Sequence, residues 1–272
     1  MGKVCFIIFS KNRPMQLNVL LESLVAKFPF AILGEVKILY KSDKPYTQNY
    51  KKLESKYCDF IWKEEGSSFK SDLIDLMKTP NEYTSFLVDD IIFFGEIEEN
   101  CIPRNSDLCF SLRLGKNCTY SHPADSFYSL PRLIEDSETI SWFWPGCEYD
   151  FGYPMSLDGH IFRSIEIRNM VEQVQFKNPN MLESTLAYSN PYLHHTSGIS
   201  RVMRSYPESK IVGVPVNRVN TQFENRYGKE FRFSEIELNN IFTAGEVIDL
   251  EGMQFSKING PHKELEYVFK KG

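Results

Sequence analysis

Two carboxylates, Asp89 and Asp90, stand side by side in "FLVDDIIFF" (86–94), a run that otherwise reads as a buried strand. Desolvating an unpaired carboxylate is costly, and adjacent carboxylates also repel each other. Either the strand ends there and the pair faces water, or something positive lies against it. A hard divalent cation, Mg2+ or Mn2+, is one such group, since it prefers carboxylate oxygens and commonly bridges to substrate phosphates. Other polar groups interrupt apolar runs in the same way. Ser10, Lys11, Asn12 and Arg13 follow "VCFIIF", and Lys41, Ser42 and Asp43 follow "VKILY". Further along stand Asp158 in "SLDGH", Glu183 in "NPNMLES" and His262 in "GPHKE". The adjacent His194 and His195 read as solvated loop surface.

The elements that must carry these residues alternate over the first third. "KVCFIIFS" (3–10) is a short apolar strand. "RPMQLNVLLESLVAKF" (13–28) follows as a helix, with Pro14 in its first turn and Leu17, Leu20, Leu21 and Leu24 at helical spacing. A strand over 36–43, a solvated helix over 46–57, a short strand at 59–62 and a helix over 67–79 capped by Ser67 or Ser68 come next. Short strands joined by helices imply a mainly parallel sheet with right-handed crossovers. Ligands bind such sheets beyond the carboxyl ends of the strands, so the polar clusters after the first, second and fourth strands share one rim. Beyond residue 106 the pattern is mixed. A strand at 107–115 precedes an aromatic, loop-rich stretch (141–163), then helices at 161–176 and 179–189, a late strand from 210, and a helix opening at Ser234.

Composition narrows the function classes. A formal charge of -5 over 272 residues, with Lys and Arg scattered, argues against a general nucleic-acid binder. No apolar run approaches the roughly 20 residues of a membrane span, and "VCFIIFS" is too short for a secretory signal. The reading is a cytoplasmic protein, with peripheral membrane attachment left open. The six cysteines form no C-x-x-C pair and no metal-ligand spacing. There is no G-x-G-x-x-G, no G-x-x-x-x-G-K-[ST] and no G-x-S-x-G, which removes dinucleotide, P-loop and hydrolase-elbow chemistries.

"FSKNRPMQLNVLLESL", "FKSDLIDLM" and "FLVDDIIFF", in that order, resemble the nucleotide-binding half of a GT-A-fold glycosyltransferase of the family 2-like type. "YPMSLDGHIFR", "NPNMLE", "VPVNRVN" and "GPHKELEYVF" look like segments of bacterial sugar transferases that build surface polysaccharides. The resemblance implies a single α/β domain over 1–272. Residues 1–115 would form the nucleotide-sugar-binding half, and 116–272 the acceptor-binding half with a closing C-terminal segment. It implies transfer of a sugar from a nucleotide-sugar donor to a carbohydrate or lipid-linked acceptor, assisted by Mn2+ or Mg2+. Asp90 would hold the metal, with Asp89 beside it at the donor and His262 as a late metal or diphosphate ligand. The strict D-x-D pattern is not met, because position 91 is Ile. Ser10, Lys11, Arg13 and Asp43 would contact base and ribose, and Lys70 would lie near the nucleotide. An inverting reaction needs a base for the acceptor hydroxyl. Glu183 matches best, and Asp158 is its rival, with Gly159 allowing close backbone approach to the sugar.

Each residue has a structural competitor. Glu183 is equally a helix-start acid that complements the macrodipole, Asp158 a turn residue, Lys70 an exposed helix residue and Arg13 a partner for a surface acid. The aromatic set Trp142, Phe143, Trp144, Tyr149, Phe151 and Tyr153 reads either as core or as an acceptor platform. The alternative function is a non-catalytic nucleotide- or glycan-binding module on the same fold. A nucleotidyltransferase ranks below both, because "FSKNRP" lacks a Gly-rich loop.

Overall fold

The computed structural model describes residues 2–188, 200–217 and 232–272; His194 and His195 lie outside them. The N-terminal third forms β1 (Val4–Lys11), α1 (Pro14–Lys27), β2 (Leu33–Lys41), α2 (Lys44–Lys56), β3 (Ile61–Glu64), α3 (Phe69–Leu76) and β4 (Tyr83–Val88). β5 (Ile91–Phe93), β6 (Asp107–Ser111), the short strands β7 (Tyr120–Ser121), β8 (Ser126–Phe127) and β9 (Ile134–Glu135), and β10 (Ile140–Phe143) follow. After β11 (His160–Arg163) come α4 (Ser164–Gln173), α5 (Pro179–Tyr188), β12 (Val202–Ser205) and β13 (Ile211–Gly213). A helix over Glu235–Thr243, β14 (Glu246–Ile248) and β15 (Phe269–Lys271) end the chain.

β1 is buried through Ser10 because both faces are covered. Cys5, Ile7 and Phe9 pack toward α3 and α4, whereas Val4, Phe6 and Ile8 pack toward α1 and α2. That arrangement explains an unbroken apolar run in place of an alternating one. α1 buries Leu17, Leu20, Leu21 and Leu24 at the expected spacing, and Ser68 caps α3 by accepting from the Ser71 N–H. The last helix opens with a full capping box between Ser234 and Glu237.

One nine-stranded sheet has the order β3-β2-β1-β4-β11-β6-β12-β10-β9. Only β11 and β10 run against the other seven strands. The fold is therefore α/β with a mainly parallel sheet that becomes mixed in its second half. One expectation is corrected here. The helix read over 161–176 starts at Ser164, and residues 160–163 are instead the reversed strand β11, wedged between β4 and β6. "HIFR" pairs on both sides, and those ladder bonds outweigh the helical continuation that Ser164 begins. The loop-rich stretch likewise contains β10. Among the described residues no helix is long and apolar enough to cross a membrane.

The order 3-2-1-4 places a topological switch point between β1 and β4, since successive strands add on one side of β1 and then on the other. In open α/β sheets the crevice at the carboxyl ends of such a strand pair is where ligands bind. β1 ends at Lys11, and β4 ends one residue before Asp89.

Candidate active site at the switch point

Phe9 is level with Val88 across β1 and β4, so the residues that leave the two strands face each other. Asp89, 3% exposed, accepts from the Ser10 hydroxyl at 2.9 Å, the Lys11 backbone N–H at 3.2 Å and the Arg13 Nη1 at 3.0 Å. The same Nη1 reaches Asp90 Oδ2 at 3.1 Å, and Nη2 donates to the Asn217 carbonyl at 2.5 Å. Tyr50 of α2 shares a hydrogen bond with Ser10 at 2.6 Å and accepts from the Arg13 N–H. Both answers to the paired-carboxylate question therefore hold. Asp89 is covered by a guanidinium, and Asp90 shares that guanidinium with its side chain 19% exposed. The two acids raise Arg13 above its already high range despite burial. Burial pushes Asp90 up to about 6; Asp89 and Asp158 add to this, while Arg13 and His262 oppose it.

A second group of polar residues is delivered to the same rim by the reversed strand. Asp158 and Gly159 immediately precede β11, so they sit at the carboxyl edge of β4 and β6. Gly159 has φ +86 and donates to the Phe86 carbonyl, a conformation that favours glycine. Arg113, two residues beyond β6, reaches Asp150 Oδ1 at 3.1 Å and Asp158 Oδ2 at 3.6 Å, and it donates to the Ser156 hydroxyl. His262 arrives through a chain of pairings. β5 follows Asp90 and pairs with β13, and Gly213 of β13 bridges to His262. A Cβ on Gly213 would lie 2.7 Å from the His262 ring, so only glycine permits this approach. His262 Nε2 is 3.4 Å from Asp158 Oδ2. Burial disfavours both charges, yet the contact wins: Asp158 is pulled down to about 2 and His262 is raised. Glu183 of α5 accepts from the Leu157 N–H at 3.1 Å. Burial and the nearby Asp158 push it up to about 7, against the pull of Arg113.

The predicted residues separate into those brought together and those not. Ser10, Arg13, Asp89 and Asp90 touch one another, with Lys11 joining through its backbone. Asp158 and His262 touch each other, and both act electrostatically on Asp90. Asp43, on the same rim, is paired with Asn12, whose amide donates to it at 2.6 Å. Ser10 and Arg13, expected at base and ribose, are committed to the carboxylates. Lys70, expected near the nucleotide, instead donates to the Glu172 and Val174 carbonyls at the end of α4. That engagement satisfies terminal carbonyls of a helix. Of the aromatic set, Trp142 and Phe151 are core, while Phe143 and Tyr149 are exposed. Arg113, Asp150, Tyr50 and Asn217 were not foreseen. The strand read over 107–115 ends at Ser111, so Arg113, which that reading placed inside the strand, stands just beyond it.

Among the described residues no three His, Cys, Asp or Glu side chains converge as a metal-holding group. Two donors nevertheless fit a hard cation that takes its remaining ligands from a diphosphate and water. Asp90 gives one oxygen to Arg13, and His262 has a buried Nδ1 with no partner among the described residues. With Nε2 on Asp158, that Nδ1 has the carboxylate-backed arrangement of metal-binding imidazoles. The charge balance points the same way. Arg13 is taken up by Asp89 and Asp90, and Arg113 by Asp150 and Asp158, so neither guanidinium is free to meet a diphosphate without giving up an acid.

No family model matches the sequence, and no curated protein matches it. Solved structures do. TarS of S. aureus matches with 15% identity and TM-score 0.47 over 77% of this chain and 36% of that one. Residues 1–349 of TarS in complex with UDP-GlcNAc match with 13% identity and TM-score 0.47, over 83% of this chain and 62% of that one. The mannosyltransferase PcManGT of Pyrobaculum calidifontis, in complex with GDP-Man and Mn2+, matches with 10% identity and TM-score 0.43, over 80% and 58%. This chain thus spans less than two thirds of the length of each.

Proposed function

We propose that this chain is a GT-A-like glycosyltransferase that moves a sugar from a nucleotide-sugar donor to a hydroxyl of a carbohydrate or lipid-linked acceptor. The observation that carries the reading is the succession, beginning at the switch point between β1 and β4, of a partly exposed carboxylate (Asp90), an Asp158–His262 pair that acts on it, and Glu183, held by the Leu157 N–H and acted on by Asp158. Residues 1–115 form the donor half in this reading, and 116–272 the acceptor half and closing segment.

Donor binding rests on Asp90 and His262 as the holders of Mn2+ or Mg2+, with Asp89, Ser10, Lys11 and Arg13 forming the floor beneath them. When bound, the cation stabilises charge on the departing nucleoside diphosphate. In the neutral imidazole the His262 Nε2–H faces the Asp158 carboxylate, which leaves the Nδ1 lone pair for the cation. Asp43 lies beside this floor, where base and ribose extend. Glu183 takes the acceptor hydroxyl proton as that oxygen forms a bond to the anomeric carbon. The bond from that carbon to the diphosphate breaks, and the electron pair leaves with the nucleotide. A base of pKa about 7 combines availability with proton affinity at neutral pH. Asp158, held down at about 2, is a poor base and suits an orienting role better.

The second reading, a binding module without turnover, is favoured by one fact: Arg13 already neutralises much of the acidic pair. Asp90→Asn separates the two. The amide keeps a hydrogen bond from Arg13, so the fold survives. An enzyme is expected to lose nucleoside diphosphate release by about 100-fold or more, and its metal-dependent donor affinity with it. A wild-type protein that binds donor but releases no diphosphate with any acceptor supports the module.

A further inference from the structure

We propose that Arg113 is a positioning residue for the base, acting on Glu183 through the segment Ser156–Asp158; this rests on the reading of Glu183 as the proton acceptor. Arg113 is 3% exposed, and its guanidinium holds that segment at both ends, by the Ser156 hydroxyl and by the Asp158 carboxylate. Between those two grips, the Leu157 N–H donates to Glu183 Oε1 at 3.1 Å. Asp150 completes the hold from the aromatic stretch, at 3.1 Å from Nη2. One planar fork thereby fixes the donor that aims Glu183 and the carboxylate that orients His262.

The arrangement is costly as a stabilising device. Arg113 Nε has no partner among the described residues, and neither has the buried Asp150 Oδ2. A buried ion cluster with unpaired atoms is weak ground for stability alone, and an apolar side chain would fill the same space at lower cost. Its placement around Glu183 explains it better. Among the described residues, three charged or titratable groups face that carboxyl. Asp158 raises it, Arg113 lowers it, and Tyr153, from the aromatic stretch, is raised by burial and then by Glu183. Lysine at position 113 retains the charge but lacks the fork, so charge and geometry can be separated.

The test uses full-length protein labelled with 15N-Leu and with 13C at the Glu carboxyls, the Glu183 signal being identified by its loss in Glu183→Gln. In the wild type the Leu157 amide shift is expected to follow the Glu183 midpoint. In Arg113→Met that midpoint rises by about one pH unit or more, because a nearby positive charge is gone. In Arg113→Lys the midpoint stays near the wild-type value while the Leu157 amide loses at least half of its pH response. Transfer by the lysine variant falls about 10-fold or more in kcat with donor KM unchanged. Should Arg113→Met not fold, the lysine variant alone decides. A Leu157 response unchanged in every folded variant overturns the proposal, as does wild-type kcat in Arg113→Lys. Absence of any transfer by the wild type instead overturns the reading of Glu183 as base, and the amide titration still decides whether Arg113 holds the segment.

Discussion

Glu183→Gln is expected to lower transfer by about 100- to 10,000-fold while leaving donor binding intact. The amide still accepts from the Leu157 N–H at the same position, so the helix and its neighbours need not move. What disappears is the capacity to take a proton. In the wild type, kcat is expected to rise with pH through about 7 and then level, since the competent form of Glu183 is the carboxylate. The stability effect has the opposite sign. A carboxyl raised by burial contributes stability that is fully present below its unfolded value and is lost as pH rises through about 7. Glu183→Gln removes that loss, so the variant melts no lower than wild type at pH 8. The check is a kcat–pH profile with urea unfolding of both proteins. A variant that retains wild-type kcat, or a flat wild-type profile between pH 6 and 8, removes Glu183 from the chemistry.

Arg13→Met is expected to cost about 3–5 kcal/mol of folding stability at neutral pH, because it leaves the buried Asp89 without its counter-ion and Asp90 with His262 alone. Arg13 is 8% exposed, so water cannot replace it easily. The deficit should shrink toward pH 5. Asp90 is already raised to about 6 with Arg13 present, and loss of the guanidinium raises the pair further. Groups raised in the folded state contribute stability below their unfolded values and lose it as pH rises, so the variant suffers most at high pH. Adding Asp89→Asn should restore part of the loss. Urea midpoints from pH 5 to 8 measure all of this. A deficit below about 1 kcal/mol that does not vary with pH would mean that the acids are not held by Arg13.

Much of this architecture was legible because it rests on local patterns. The apolar run ending at Ser10, the leucine spacing of α1 and the position of Asp89 beyond a strand end follow from burial of one or two faces. What sequence could not supply was the partner across the rim. Arg13 lies 76 residues from Asp89, and nothing in "KNRP" says that its guanidinium turns onto that carboxylate. The same holds for Lys70, which reads as a helix-surface lysine and finds its role only once α4 ends beside it. "IFR" reads as the start of the following helix because so short a stretch carries too little periodicity to separate strand from helix, and the ladder partners of β11 come from β4 and β6. Arg113 was hidden for a related reason. Arg113 falls inside the strand read over 107–115, and only the fold, which ends that strand at Ser111, brings Asp150, Ser156 and Asp158 around it.

The central claim is that the rim between β1 and β4 binds a nucleotide-sugar through a divalent cation. The most direct measurement is the melting temperature of the wild-type protein with UDP-, GDP-, dTDP- and CMP-sugars, each with and without Mn2+. A ligand that binds only the folded state adds about 2.7 kcal/mol at 100 times its Kd, which is several degrees in a melt. The account predicts a shift with one nucleotide that requires Mn2+ and is lost in Asp90→Asn. No shift with any donor, at concentrations well above a millimolar-range Kd, would contradict it.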